Sequence, residues 1–315
     1  MRKLRIVFMG TPDFAVHTLK TIVEASYEVV GVITAPDKPA GRGRKIHESA
    51  VKKYASEQGL KVLQPTNLKD EQFLEELKSL KANLQVVVAF RMLPEAVWKM
   101  PEYGTFNLHA SLLPQYRGAA PINWAVMNGE TETGVSTFFI DEKIDTGEMI
   151  MQEKVAVDPA ENAGSLHDKL MTTGADLVIK TLKALEEGPV KTTSQKEAGE
   201  LKTAHKLTRE NTKIDWEQEP EKIYNFIRGL SPFPTAWTTL VNGQNEQMMK
   251  IYAAEKENAA HDLEPGKLVQ ENKEVKIAVK GGYIILTEVQ LPGKRKMAIK
   301  ELLNGYQFFP NAKVL

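Results

Sequence analysis

The sequence predicts an α/β fold, in which a Rossmann-like, mostly parallel sheet forms an N-terminal domain and a small OB-like β-barrel forms a C-terminal one. Short apolar runs alternate with amphipathic segments in the N-terminal third, as in a parallel sheet covered by helices on both faces. Short β-like segments separated by Gly- and Pro-containing turns fill the C-terminal quarter, which favours a barrel. The 315 residues suffice for two domains of roughly 150 residues each.

The elements of the N-terminal domain follow from its apolar patterns. Apolar-rich segments predict buried strands at Leu4–Met9 and Glu28–Thr34, a short strand at Lys61–Leu63, an apolar strand at Leu84–Phe90 and a further β-like segment at Gly104–His109. Apolar residues at helical spacing predict a helix after the first strand and further helices at about Glu48–Glu57 and Asp70–Leu80. A polar turn at Asp141–Gly147 joins two further β-like segments, Gly134–Ile140 and Glu148–Val157, which predicts a hairpin. A long amphipathic helix follows at Ala163–Glu187.

The boundary between the domains is expected in a polar stretch rich in Lys, Thr, Ser and Glu that has no apolar periodicity. We therefore predict a first domain at 1–189, a linker at 190–207 and the barrel domain at 208–315. A helix at about Pro220–Leu230 opens the latter. The five β-like segments after it are Thr235–Val241, Lys250–Glu255, Gly266–Gln270, Glu274–Ala278 and Gly282–Val289.

Composition excludes several classes of protein. Lys and Arg total 41 and Asp and Glu total 41, so the formal net charge is zero, which excludes a uniformly basic nucleic-acid binder but not a locally basic one. Cysteine is absent, which excludes disulfides, thiolate metal sites and thiol nucleophiles. No apolar run approaches the roughly 18 residues of a membrane span, and the histidines lack metal-ligand spacing. We expect a cytoplasmic protein without a metal or a membrane partner.

The turn after the first strand argues against a dinucleotide cofactor. A Rossmann fingerprint needs three spaced glycines so that the backbone can approach a pyrophosphate. Here Gly10 is followed by Thr11, Pro12 and Asp13, and no phosphate loop of the GxxxxGK[ST] type occurs. A nucleotide-dependent oxidoreductase is therefore disfavoured.

The densest group of chemically competent residues lies in Phe106–Pro121, which reads FNLHASLLPQYRGAAP. Asn107 and His109 are two apart on a predicted strand, so both side chains point to one face. They lie at its C-terminal end, where open α/β sheets bind ligands. An amide and an imidazole there could stabilise the oxyanion of an acyl transfer. The alternative is that they only close loop hydrogen bonds at a polar strand end.

Asp145 lies in the predicted hairpin turn and could fold back beside the same sheet end. A carboxylate near His109 would orient the ring and favour its protonated form. A role as a turn former is equally compatible with the sequence. Ser111 lacks the G-x-S-x-G surroundings of a serine hydrolase nucleophile, so a hydrolase is the weaker interpretation.

Five motifs of the sequence are FMGTPDFA at Phe8–Ala15, APDKPAGRGRK at Ala35–Lys45, FNLHASLLPQYRGAAPINWA at Phe106–Ala125, IDTGEMI at Ile144–Ile150 and LSPFPTAWT at Leu230–Thr238. These motifs resemble the 10-formyltetrahydrofolate-dependent formyltransferases, and most closely their methionyl-tRNA formyltransferase branch. The resemblance covers both domains. The resemblance implies transfer of a formyl group from 10-formyltetrahydrofolate to the α-amine of initiator methionyl-tRNA.

The resemblance also implies roles for individual residues. Asn107 and His109 would stabilise the oxyanion, while Asp145 would hold His109 and help to move protons. Ser111, Leu112, Leu113 and Pro114 would line the folate pocket, with Phe90, Met92 and Leu93 contacting the pteridine. The family often carries AYGxILP at this wall, whereas Ala89–Pro94 reads AFRMLP, one residue shorter and without Gly, which leaves the role of Arg91 open.

Basic residues concentrate in separate segments of the chain. Six basic residues face one acidic residue in Lys38–Lys53, five face two in Lys191–Arg209, and a third patch lies at Lys294–Lys300. Such residues supply phosphate contacts to nucleic acid, and we expect Arg42, Arg44, Lys45 and Lys206 to contact tRNA, the protein being a monomer. The alternatives are a formyltransferase acting on a small amine, such as an amino sugar or ribonucleotide, and a non-catalytic RNA-binding protein.

Overall fold

The computed structural model describes residues 1–40, 45–196 and 199–315, which form two compact units. The first unit comprises Met1–Gly118, Glu132–Ala156 and His167–Thr203. The second comprises Ala119–Thr131, Val157–Leu166 and Ala204–Leu315. The predicted division at 1–189, 190–207 and 208–315 runs consecutively along the chain, whereas these two units interleave along it.

The secondary structure alternates between strands and helices in the first unit and is mainly strand in the second. In chain order the strands are β1 (Arg5–Gly10), β2 (Glu28–Ile33), β3 (Lys38–Ala40), β4 (Lys45–His47), β5 (Val62–Leu63), β6 (Leu84–Val88), β7 (Thr105–His109), β8 (Arg117–Gly118), β9 (Glu132–Phe139), β10 (Met149–Ala156), β11 (Thr203–Ala204), β12 (Ala236–Asn242), β13 (Asn245–Asn258), β14 (Leu268–Glu271), β15 (Glu274–Val279), β16 (Gly282–Gln290), β17 (Met297–Ala298) and β18 (Lys313–Val314). The helices are α1 (Asp13–Glu24), α2 (Ala50–Glu57), α3 (Glu71–Ser79), α4 (Glu95–Trp98), α5 (Pro121–Met127), α6 (Ala163–Glu187), α7 (Pro220–Leu230) and α8 (Ile299–Leu302).

The sheet of the first unit has the order β10-β9-β7-β6-β1-β2-β5. The five strands from β7 to β5 are parallel, and the hairpin of β9 and β10 adds two antiparallel strands beside β7. All five residues of Leu84–Val88 are buried, as expected of a central strand with helices on both faces. The predicted Rossmann-like sheet is therefore confirmed.

Close packing of α6 on the sheet fixes the strand that carries the candidate site. At Gly174 of α6, an added Cβ would lie 2.9 Å from Cδ2 of Leu108, the residue of β7 between Asn107 and His109. Because Leu108 points toward the helix, its two neighbours on the strand point to the other face. The parallel strands β1, β2, β6 and β7 end at one edge of the sheet, and His109 is the last residue of β7.

The second unit contains an antiparallel, nearly closed barrel with the order β14-β15-β16-β13-β12-β18, and β17 pairs with β16. A bridge between Lys267 and Lys313 joins the start of β14 to β18 and so brings the two ends of this order together. The predicted barrel is confirmed. Among the differences from prediction, β13 has 14 residues because it extends through polar positions, and β18 has only two, too few to show a pattern.

Helices α5 and α7 explain why residues 119–131 group with the second unit. The Nδ2 of Asn123 donates to the Gly229 carbonyl at 2.8 Å. A Cβ on Gly229 would lie 2.5 Å from Cγ of Met127, so the missing side chain lets the two helices approach closely. This packing joins α5, from the middle of the chain, to α7 of the second unit.

Candidate active site

Asn107 and His109 lie side by side on the same face of β7, as predicted. Asn107 is half-buried, and its side-chain amide has no hydrogen-bond partner among residues 1–40, 45–196 and 199–315. His109 is buried. An amide with two donor hydrogens at the C-terminal edge of a parallel sheet is available to an incoming oxygen.

Both ring nitrogens of His109 meet oxygen atoms of the protein. Nε2 lies 2.9 Å from the carbonyl oxygen of Tyr116, and because a carbonyl only accepts, Nε2 carries the hydrogen of this bond. Nδ1 lies 3.8 Å from Oδ2 of Asp145. The Tyr116 carbonyl and the Asp145 carboxylate thus face the two ring nitrogens and set the orientation of the imidazole.

Asp145 reaches this edge from the turn between β9 and β10. Its Oδ2 accepts a hydrogen bond from the Gly118 amide at 3.0 Å, and its side chain is only 14% exposed. The turn is built by Asp141, whose Oδ1 accepts from the Lys143 amide at 3.0 Å and from the Thr146 hydroxyl at 2.8 Å. The structure thus brings together the three residues predicted to act in catalysis.

Gln195 is a residue of the site that the sequence did not reveal. Its side chain is buried beside the Asp145 turn, where it donates to the carbonyls of Asp145 and Gly147 and accepts from Arg117. It lies in the polar stretch expected to be a linker, where the sequence has no apolar periodicity that would predict a buried residue. Only the folded structure shows that Gln195 is buried.

The Ser111–Pro114 segment is held firmly against the hairpin. The Ser111 hydroxyl donates to the Gln115 carbonyl at 2.6 Å, so that hydroxyl is already engaged. The amide of buried Leu113 donates to the Ser136 hydroxyl at 3.2 Å, and Gln152 Nε2 donates to the Leu113 carbonyl at 2.9 Å. Leu112 and Pro114 are half-buried. This segment forms a rigid wall next to Asn107 and His109.

The Phe90–Leu93 segment leaves the sheet edge one strand away, after β6. Met92 is 69% exposed, Phe90 is half-buried and Leu93 is buried. The Arg91 guanidinium lies 5.6 Å from the centre of the Phe90 ring and donates to the carbonyl of Thr66 at 3.0 Å and to that of Pro65. Arg91 therefore ties this segment to the loop that follows β5.

Of the four residues expected to contact tRNA, the structure describes the side chain of Lys206. Arg42 and Arg44 lie outside the described residues, as does the side chain of Lys45, whereas Lys206 is exposed in the second unit. In the third basic patch, Arg295 pairs with Glu301 at 2.9 Å. Lys296 likewise pairs with an acidic residue of β16. That patch is therefore less positive than its sequence indicates.

The part of the chain that the structure describes contains neither a metal-binding cluster nor a membrane-spanning helix. No group of three or more His, Asp or Glu side chains in residues 1–40, 45–196 and 199–315 is arranged to hold a metal ion. Within the same ranges, no helix has the length and apolar character needed to span a bilayer.

Comparison with known proteins gives matches over almost the whole chain. A family model described as formyl transferase matches residues 4–182, and one described as formyl transferase, C-terminal domain, matches residues 206–307. The methionyl-tRNA formyltransferase of Flavobacterium johnsoniae is 62% identical over 314 residues and covers 100% of both chains. That of Bacteroides fragilis is 55% identical and covers 96% of this chain and 95% of its own.

Solved structures share the fold at low sequence identity. HypX from Aquifex aeolicus in complex with tetrahydrofolic acid has a TM-score of 0.65 at 19% identity and covers 96% of this chain and 47% of that chain. The N-formyltransferase from Helicobacter canadensis, in complex with folinic acid and dTDP-3-aminofucose, has a TM-score of 0.61 at 19% identity and covers 90% of this chain and 98% of its own. At these identities the likeness concerns the fold.

Proposed function

The chain belongs to the methionyl-tRNA formyltransferase family, and we infer from this membership that it formylates the α-amino group of initiator methionyl-tRNA for translation initiation. The formyl group comes from a folate-derived donor, which we propose to be 10-formyltetrahydrofolate. The observation that carries this proposal is the meeting of Asn107, His109 and Asp145 at the C-terminal edge of the sheet, with the amide of Asn107 available to an oxygen.

The reaction needs a stabilised oxyanion and a path for one proton. The amine nitrogen bonds to the formyl carbon, the bond from that carbon to N10 of the donor breaks, and one proton passes from the amine to N10. Asn107 donates to the formyl oxygen as it becomes negative, and His109, on the same face of β7, helps to stabilise that oxygen. Asp145 holds the ring of His109 and takes the proton from the attacking nitrogen, directly or through one water.

We propose that two segments at the sheet edge line the donor pocket. Ser111, Leu112, Leu113 and Pro114 form one wall, and Phe90, Met92 and Leu93 form the other. The exposed Met92 and the half-buried Phe90 offer apolar surface to a flat pteridine, while the buried Leu93 and Leu113 support the backbone behind it. The engaged Ser111 hydroxyl supports a role in fixing the wall rather than in direct polar contact.

We propose that Arg42, Arg44, Lys45 and Lys206 contact phosphates of the tRNA. Basic side chains set the position of a nucleic acid rather than its sequence specificity. The support is the excess of basic residues in Lys38–Lys53 and the exposure of Lys206.

Because one chain supplies Asn107, His109 and Asp145, we propose that the protein acts as a monomer. We also propose that it acts in the cytoplasm, where initiator tRNA enters translation.

A transfer assay with the purified full chain tests this function. The protein is mixed with 10-formyltetrahydrofolate and either methionyl-tRNA or a small amine, for which glycinamide ribonucleotide and an amino-sugar nucleotide serve. We expect formyl-methionyl-tRNA and no formylated small amine. Formylation of a small amine without formylation of methionyl-tRNA would show that the protein acts on a different substrate. Binding of tRNA without any transfer would support the non-catalytic alternative.

A further inference from the structure

Gln195 lies between the two regions that match family models, 4–182 and 206–307, and its side chain is nevertheless buried, at 9% exposure. Its Nε2 donates to the carbonyl of Asp145 at 3.0 Å and to that of Gly147 at 2.7 Å. Its Oε1 accepts from Nη2 of Arg117 at 2.9 Å and from Nε at 3.2 Å. Both donor hydrogens and both acceptor sites of this amide are therefore used.

The partners of Gln195 are the backbone of Asp145 and the residue next to the one that hydrogen-bonds the Asp145 carboxylate. Asp145 has a left-handed backbone (φ 55°), which is strained for a residue with a side chain, and the amide of Gln195 holds its carbonyl in that conformation. Arg117, the second partner, directly precedes Gly118, whose amide donates to Oδ2 of Asp145. One side chain thus fixes both the carboxylate's own backbone and the strand that supplies its hydrogen bond.

Other contacts attach the same segment to the hairpin without involving Asp145. Thr193 pairs through its backbone with Met149, and the Thr192 hydroxyl donates to the Glu148 carboxylate. These contacts attach the segment to the hairpin independently of Gln195, so attachment alone does not account for a buried glutamine at this position.

We propose that Gln195 is a positioning residue of the transfer reaction, which acts by holding Asp145 in its orientation toward His109. The proposal rests on the catalytic role proposed above for Asp145. Since a displacement of about 1 Å in a catalytic group can cost about 100-fold in rate, loss of these bonds should lower kcat.

The first experiment compares Gln195→Met with Thr192→Val. The methionine keeps the shape of the side chain and removes all four hydrogen bonds, while the valine removes a different tether of the same segment. For Gln195→Met we expect a kcat reduced by about tenfold or more, with KM for the folate donor and for methionyl-tRNA changed by less than about threefold. Thr192→Val should keep a kcat near that of the wild type. Equal losses in the two variants would overturn the proposal.

A double-mutant cycle with Asp145→Asn decides whether Gln195 acts through Asp145. If it does, Gln195→Met should reduce kcat little further in a chain that already carries Asp145→Asn. Multiplied losses would overturn the positioning role and leave the proposed function standing. Wild-type activity of the single Asp145→Asn variant would instead overturn the role of Asp145 itself, and with it the inference. Thermal unfolding of each variant identifies any that fail to fold.

Discussion

Replacing Gly147 with alanine should displace the turn that carries Asp145. A Cβ at position 147 would lie 1.7 Å from the carbonyl oxygen of Phe139, half of the 3.4 Å at which ordinary contact begins. The turn and β9 must then separate by about 1.7 Å, and the obstacle is backbone, which cannot rotate away as a side chain can. We expect a loss of about 1–3 kcal/mol in the free energy of unfolding. A shift of this size two residues from Asp145 should lower kcat by about 100-fold.

The matched control for Gly147→Ala is Gly305→Ala. At Gly305 an added Cβ meets nothing within 4 Å, so the same substitution should leave both stability and rate unchanged. The assay measures kcat for formyl transfer to methionyl-tRNA together with denaturant unfolding of each variant. A Gly147→Ala protein that matches Gly305→Ala in kcat and stability would refute the reasoning that this turn is sterically fixed.

Three further predictions concern other parts of the molecule. His109→Ala should lower turnover by about 100-fold or more while tRNA binding in a filter assay stays unchanged; an active variant would contradict its role. Arg42→Ala should lower the tRNA-dependent rate with little change in folate affinity, and an equal loss of both would disprove tRNA contact. Burial and the neighbouring Glu186 carboxylate raise the pKa of Tyr27 from 10.0 to about 12. The stabilisation that the neutral Tyr27 hydroxyl gives to the folded state is therefore fully present below pH 10 and is lost as the pH rises through 12. Tyr27→Phe, which removes the 3.0 Å bond to Glu186, should therefore cost about 1 kcal/mol in denaturant unfolding near pH 8, and a cost that persists above pH 12 would contradict this assignment.

Most of the fold was predictable because its signals are local. Leu84–Val88 is apolar at every position except Gln85, and α7 begins at Pro220, a residue suited to the first helical turn. The end of β6 was predicted two residues too late, at Phe90. Ala89 has a left-handed backbone (φ 47°), which ends the strand within an apolar stretch that gives no sign of it.

The candidate site was predictable to the extent that its residues are close in sequence. Asn107 and His109 share a strand face because they are two residues apart, and Asp145 stands out as a carboxylate in a hairpin turn. Gln195 has its partners 78 residues away at Arg117 and 50 residues away at Asp145, so no local pattern includes them. Charge pairing is equally hidden: Arg295 counts as a cation in the sequence but pairs with Glu301 in the fold.

The backbone at the sheet edge marks the site independently of its side-chain chemistry. Among the described residues, three other than glycine have left-handed conformations there: Ala89 after β6, Tyr116 after β7 and Asp145 after β9. Each costs roughly 1 kcal/mol that glycine would avoid. Tyr116 is held by the Lys202 carbonyl, which accepts from its amide at 2.7 Å, and Asp145 is held by Gln195. Tyr116 and Asp145 are also the residues whose oxygen atoms face the two nitrogens of His109, so two of the strained backbone positions belong to the surroundings of the imidazole.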